Sequence, residues 1–228
     1  MDEIDEERLE AKLERHANMK LSLDEDIVAL DTDWAKISVV TNHMVAVYNI
    51  SNFASPLAKL DITARAIKIF HDNILIGTAY GAIIHCNIST LSQFTTDCYN
   101  DGHNAAIQCI ETGIGNEVIT GDTFGGVRKW RIDAENRKFE ILQSIDFDQN
   151  LYDIKHDRTR VFVALFDRIE IINTNNFNTQ IGTIRTDGPS TIAFDDVSNK
   201  MTIGTEEYVA IYDMSTRQEE TLIPNGSR

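Results

Sequence analysis

The sequence predicts an all-β fold built from five similar units of about forty residues each. Five times a short apolar stretch closes on a small polar run, and the equivalent positions are Tyr48, Cys86, Trp130, Ile172 and Tyr212. These positions are 38, 44, 42 and 40 residues apart. Each unit also has room for four short strands separated by turn residues. A period of roughly 40–45 residues with four strands per unit is typical of β-propeller blades. We therefore predict a β-propeller with about five visible blades.

The N-terminal residues have a different pattern, which predicts a helix over residues 2–21. Acidic residues crowd its first turns, where they complement the helix dipole, and a narrow apolar stripe consists of Leu9, Leu13, Ala17 and Leu21. We accordingly divide the chain into an acidic helical extension, residues 1–22, and propeller blades, residues 23–228. This segment either lies against the rim of the propeller, is partly disordered, or docks onto another subunit as a helix.

From about Asp26 onward, short apolar runs bounded by turn residues predict four strands in each unit. Many of these runs are apolar at nearly every position, as expected for strands covered on both faces by neighbouring blades. The predicted strands are 27–30, 35–40, 44–50 and 57–62 in the first unit; 66–70, 74–78, 82–88 and 93–98 in the second; 107–111, 117–121, 127–132 and 139–145 in the third; 151–155, 160–165, 168–173 and 180–184 in the fourth; and 191–194, 200–204, 208–214 and 219–223 in the fifth.

The third unit carries a motif of a known family. Gly102-His103 precedes its first strand, Thr120 lies on its second strand, and Trp130 closes its third strand. This arrangement resembles the WD40 repeat, in which a Gly-His dipeptide precedes a strand and a Trp closes the third strand. The resemblance implies that His103, Thr120 and Trp130 form a buried hydrogen-bond network, which would satisfy the buried indole and imidazole groups.

The resemblance is strongest over residues 102–132 and weaker over the rest of 27–223. The Asp expected in the turn between the second and third strands falls on Phe124, and the Asp expected after the Trp is Arg131. The other four units lack both Gly-His and Trp, although two of them keep a similar second strand, with Ile76-Gly77-Thr78 and Ile203-Gly204-Thr205. The resemblance implies a propeller of WD40 type and a scaffold role.

The number of blades leaves three alternatives open. Propellers have about four to eight blades, whereas most WD40 rings have seven. The five units predict a true five-blade ring, an open arc completed by a partner, or a shortened chain, and we favour the arc or the shortened chain. An open arc would leave edge strands unpaired unless something covers them.

Aromatic residues recur in the turn between the second and third strands, which projects from the same face as the connections between blades. Tyr80, Phe124, Phe166 and Tyr208 occupy this turn in four consecutive units, and His43 occupies it in the first. Exposed aromatic side chains on one face would form a partner-binding surface. The alternative is that each ring packs between neighbouring blades. Polar contacts at the rim of this surface would come from Arg65, Asn104 and Asn150.

Charge and composition narrow the classes of partner. The net charge of −15, with no cluster of lysine or arginine, argues against direct nucleic-acid binding and favours protein or peptide partners that are basic. No apolar run is long enough to cross a bilayer, so no membrane association is expected. The three cysteines show no paired spacing, which favours a reducing cytoplasmic or nuclear compartment.

Catalytic and metal-binding patterns are weak in this sequence. The six histidines show no metal-ligand spacing, and neither a G-x-S-x-G motif nor a phosphate-binding glycine loop occurs. We therefore expect no catalytic residues, cofactor or metal. The favoured function is a non-catalytic scaffold or adaptor in a multi-subunit complex. The alternatives are a subunit of an RNA-linked assembly that contacts mainly protein, and an enzyme with a site in the propeller channel.

Overall fold

The computed structural model describes residues 23, 25–96, 102–186, 188–195, 197–216 and 218–224. Every regular element in these ranges is a β-strand, and the twenty strands form five four-stranded antiparallel sheets. The prediction of an all-β fold with five blades is confirmed. The predicted helix at residues 2–21, with its proposed docking role, lies outside the described residues.

Each sheet consists of four strands in sequence order, so each is a simple meander. The strands of the first three blades are β1 Ile27–Thr32, β2 Lys36–Thr41, β3 Val45–Asn49 and β4 Ala58–Leu60; β5 Ala64–Phe70, β6 Asn73–Thr78, β7 Ile83–Asn87 and β8 Gln93–Thr95; and β9 Ile107–Thr112, β10 Glu117–Asp122, β11 Gly126–Asp133 and β12 Lys138–Asp146. The strands of the last two are β13 Leu151–His156, β14 Arg160–Leu165, β15 Arg168–Asn173 and β16 Asn176–Arg185; and β17 Thr191–Asp195, β18 Lys200–Gly204, β19 Tyr208–Asp213 and β20 Gln218–Pro224.

Strand β16 differs most from its prediction, because it begins at Asn176 rather than at residue 180. The asparagine-rich stretch before residue 180 is typical of a loop. In the fold, however, the Phe177 side chain is buried, and its N–H donates to Gln143 Oε1 at 2.7 Å. Gln143 belongs to the neighbouring third blade, so a contact between blades extends this strand.

The hydrophobic core lies between the blades. Four clusters of buried side chains each join one blade to the next. Consecutive residues of a strand face opposite neighbours, so that in the second blade Ile76 packs toward the first blade and Leu75 toward the third. Both side chains are fully buried. Burying one such side chain contributes roughly 1.5–3 kcal/mol, which explains why nearly continuous apolar strands suit this fold.

The first strands of successive blades lie side by side, from β1 through β5, β9 and β13 to β17. Between β17 and β1 the described residues form no interface of comparable extent. Leu30 on β1 is 56% exposed, whereas the residues at the same register of the other first strands are at most 6% exposed: Ile67, Ile110, Ile154 and Ile192. The described residues therefore do not close into a five-blade ring, a geometry that an open arc and a shortened chain share.

Charged side chains of alternating sign join the first strands of neighbouring blades. Lys68 Nζ lies 3.4 Å from a carboxylate oxygen of Asp31 and 3.4 Å from one of Glu111. The Lys155 ammonium contacts Glu111 and lies 3.3 Å from Asp153 Oδ1. Asp153 Oδ2 then accepts a hydrogen bond at 2.9 Å from a backbone N–H of β17. We call Asp31, Lys68, Glu111, Lys155 and Asp153 the charge ladder; it connects all five blades.

Candidate protein-interaction face

The turns between second and third strands lie at the same edge of the blades as the connections from one blade to the next. This follows from four antiparallel strands in sequence order. Backbone hydrogen bonds tie the two kinds of loop together: the Phe147 N–H donates to Gly125 O at 2.9 Å, and the His103 N–H donates to Gly81 O at 3.2 Å. We call this edge of the molecule the turn face.

Three of the four predicted aromatic residues project from the turn face into solvent. Tyr80, Phe124 and Phe166 are 79%, 70% and 61% exposed, so their rings do not fill the spaces between blades. Tyr208 differs, because it is the first residue of β19 rather than part of the turn, and it is half-buried. Its hydroxyl lies 3.2 Å from Thr186 Oγ1.

Glycines shape two of the aromatic turns. Gly81 and Gly125 directly follow Tyr80 and Phe124 and have φ values of +83° and +90°, which side chains other than glycine's rarely adopt. A Cβ atom added to Gly125 would lie 2.3 Å from the Phe147 carbonyl oxygen. The turn backbone therefore packs tightly against the next connection and leaves the preceding aromatic side chain outside.

A polar side chain at the end of the second strand holds several of these turns. Asp122 Oδ1 accepts hydrogen bonds from the N–H groups of Phe124 at 2.9 Å and Gly126 at 3.0 Å. At the equivalent position of the second blade, Thr78 Oγ1 accepts from the Ala82 N–H at 3.0 Å. Thr205 does the same in the fifth blade, from the Tyr208 N–H at 3.0 Å. This turn-stabilising role was not predicted from the sequence, although the residues recur at the blade period.

The polar residues predicted at the rim are exposed on the turn face. Arg65 lies near the start of β5, and Asn104 and Asn150 lie in the connections before β9 and β13. In the first blade His43 is exposed, and its Nδ1 lies 3.2 Å from Glu25 Oε1. The described structure thus brings these side chains to one face.

A buried hydrogen-bond network lies beneath the Phe124 turn. The Trp130 indole N–H donates to Thr120 Oγ1 at 2.8 Å, His103 Nε2 lies 2.6 Å from the same oxygen, and His103 Nδ1 lies 2.7 Å from Asp122 Oδ2. The carboxylate therefore comes from Asp122, the last residue of β10. Phe124 lies in the turn, where the WD40 pattern places its Asp, and Asp122, two residues earlier, supplies the carboxylate to His103 instead.

A neutral His103 satisfies every hydrogen bond of this network. In that form its Nδ1–H donates to the Asp122 carboxylate, and its Nε2 accepts from the Thr120 hydroxyl, which itself accepts from Trp130. Burial lowers the pKa of His103 and outweighs the opposing influence of Asp122. Burial opposes ionisation of Asp122 as well, but hydrogen bonds from His103 and the Gly126 N–H keep the pKa of that carboxyl below its ordinary value.

We expect the melting temperature to fall as the pH is lowered from 7 to 5. The unfolded chain binds a proton at His103 near its ordinary pKa of about 6.5, whereas the folded chain does not until a lower pH, so acid favours unfolding. His103→Asn should flatten this pH dependence, and exposed His43→Asn should not. Burial also lowers the pKa of His85, so part of the pH dependence of the melting temperature should remain in the His103 variant. An unchanged slope in the His103 variant would contradict the assignment.

The described residues contain no group of three or more His, Cys, Asp or Glu side chains placed to hold a metal ion. They also contain no helix with the length and apolar character needed to cross a membrane.

No protein-family model and no curated protein matches the sequence. Solved structures match the fold, among them the crystal structure of the computationally designed Ika8 protein, with a TM-score of 0.67 and 18% sequence identity. The match covers 85% of this chain and 60% of the Ika8 chain, so this chain spans less than two thirds of that protein. At this identity the likeness shows the fold alone: the chain has the five-bladed arrangement of a β-propeller.

Proposed function

We propose that this chain is a non-catalytic interaction module whose turn face binds a basic segment of another protein within a multi-subunit complex. The observation that carries the proposal is the exposure of Tyr80, Phe124 and Phe166 at equivalent turns of three consecutive blades. Exposed apolar groups on one surface mark interaction sites, and aromatic side chains contribute much of the energy of protein interfaces.

Charge supports a basic partner. The chain carries a net charge of −15, and Asp167, Glu206 and Glu207 lie in turns of the same face as the aromatic residues. An acidic surface speeds association with basic partners and disfavours acidic ones, including nucleic acids. Aromatic side chains would supply most of the affinity, and the carboxylates would contribute selectivity.

We further infer that the blades are of WD40 type. The support is the network of Trp130, Thr120 and His103 in the third blade, which the resemblance to the WD40 repeat predicts. The carboxylate of this network comes from Asp122 rather than from the turn position of the WD40 pattern, and its hydrogen bonds fix the Phe124 turn. In this view the third blade keeps most of the motif, and the other blades keep only its architecture.

The test compares two triple variants of the full chain in quantitative affinity capture. Tyr80→Ser/Phe124→Ser/Phe166→Ser removes the aromatic groups of the turn face. The matched control Trp34→Ser/Ile114→Ser/Val197→Ser removes three exposed apolar groups from the turns at the opposite edge of the blades. Each truncated interface residue that matters should cost more than about 1 kcal/mol, so the first variant should lose its partners at least tenfold.

The identity of the captured proteins supplies a second criterion. We expect those lost with the aromatic variant to be basic and to dissociate as NaCl is raised, because exposed charges are screened by salt. The control variant should retain them. Equal capture by both variants, or partners lost only with the control variant, would contradict the proposal.

A further inference from the structure

We propose that a pocket on the turn face, between the fourth and fifth blades, accepts a cationic side chain from the bound segment, a lysine or an arginine. The inference rests on the proposed function and specifies what its ligand contains. The cavity has a volume of about 330 Å³, and Tyr152, Phe166 and Tyr208 line it together with Glu206 and Glu207. Three aromatic residues and two glutamates thus line one concave site.

The walls of this pocket are held by hydrogen bonds of the fold. Thr205 Oγ1 accepts from the N–H groups of Glu207 at 3.2 Å and Tyr208 at 3.0 Å, which fixes the turn that carries the two glutamates. The Tyr208 hydroxyl lies 3.2 Å from Thr186 Oγ1, in the connection on the other side. A site that is already ordered loses less conformational entropy on binding.

The chemistry of the lining selects a cation. The faces of aromatic rings attract ammonium and guanidinium groups, and the attraction strengthens when carboxylates are nearby and water is excluded. Among the described residues, no lysine, arginine or histidine lines the cavity. An anion would meet the negative charge of Glu207, and a neutral apolar group would desolvate that carboxylate without compensation.

The size of the cavity favours a side chain over a larger ligand. A volume of about 330 Å³ lies at the lower end of the range of ligand pockets, which is about 300–1,000 Å³. The pocket also adjoins the exposed Phe166 ring, so a segment lying on the turn face could place one long side chain into it.

The test uses four short capped peptides of glycine and serine that differ only in the central residue: lysine, trimethyl-lysine, arginine or norleucine. Binding to the full chain is followed by NMR titration. We expect the three cationic peptides to bind at least tenfold more tightly than the norleucine peptide, and to weaken as NaCl is raised. The order of the three affinities identifies which cationic side chain the pocket prefers: lysine, trimethyl-lysine or arginine.

Variants locate the binding. Phe166→Ala and Glu207→Gln should each weaken the cationic peptides at least threefold, whereas Trp34→Ala and Glu140→Gln, at exposed sites outside the pocket, should leave affinity within twofold. Melting temperatures establish that all variants are folded. Equal binding of the norleucine peptide, or unchanged affinity in both pocket variants, overturns the proposal.

The pocket and the proposed function fail in distinguishable ways. If captured partners are lost with Tyr80→Ser/Phe124→Ser but are insensitive to Glu207→Gln/Tyr152→Ala, the interaction face stands and the cation pocket is rejected. If cationic peptides require the pocket residues while Tyr80→Ser/Phe124→Ser leaves every captured partner unchanged, the pocket stands and the wider aromatic face is rejected.

Discussion

Thr120→Val is expected to lower the free energy of unfolding by roughly 2–4 kcal/mol, because it leaves two buried polar groups without partners. The Thr120 hydroxyl accepts from the Trp130 indole N–H at 2.8 Å and lies 2.6 Å from His103 Nε2. Thr120 and Trp130 are completely buried, so water cannot replace the lost hydroxyl without repacking. For a chain of this size, each kcal/mol corresponds to about 2–4 °C in melting temperature.

Two further variants separate the hydroxyl from the shape of the side chain. Thr120→Ser keeps the hydroxyl and should cost only about 1 kcal/mol, from the lost methyl group. Thr221→Val, at an exposed position of β20, should change stability by less than about 0.5 kcal/mol. Thermal and denaturant unfolding measure all three. Equal stability of the Val and Ser variants at position 120 would show that the network does not stabilise the fold.

Lys155→Met is expected to destabilise the chain by roughly 2–4 kcal/mol, because it removes the cation that Glu111 and Asp153 share. The side chains of both acids are only 13% exposed, so solvent screens them poorly. Burial by itself would lower the pKa of Lys155, but the two carboxylates outweigh it and hold that pKa above its ordinary value. Its stabilising contribution should therefore be complete below about pH 10.5 and be lost as the pH rises through the raised pKa.

The matched control is Lys200→Met, which removes an exposed ion pair with Glu220 and should leave the melting temperature almost unchanged. The double variant Lys155→Met/Glu111→Gln also removes the negative charge of Glu111. This double variant should be more stable than the sum of the two single variants predicts, because the two residues are in contact. Additive effects, or a Lys155 variant no less stable than the Lys200 variant, would show that the charge ladder does not join the blades energetically.

The strand pattern was predictable because it depends on local rules. Apolar runs at the blade period identified all five sheets, and the observed strand ends mostly differ from the predicted ones by one or two residues. The exception, β16, depends on the contact between Phe177 and Gln143 of the neighbouring blade. A local pattern contains no information about such a partner.

The site was predictable only in part. Family resemblance pointed to His103, Thr120 and Trp130, but Asp122 was overlooked because the WD40 pattern places its Asp two residues later, at Phe124. A signal was present: Thr41, Thr78 and Asp122 end the second strands of three blades, and Thr205 directly follows the second strand of a fourth. The charge ladder left a similar trace, because Asp31, Lys68, Glu111 and Lys155 occupy the same register of the first strands.

Within a single blade, alternation, turn residues and the forty-residue period are sufficient to predict a repeat of four-stranded sheets. Contacts between blades instead set the exposure of Leu30, the exposure of Phe166 against the partial burial of Tyr208, and the cavity that aromatic and acidic residues share. The environment of each of these side chains depends on a neighbouring blade, about forty residues away along the chain, which no local pattern specifies.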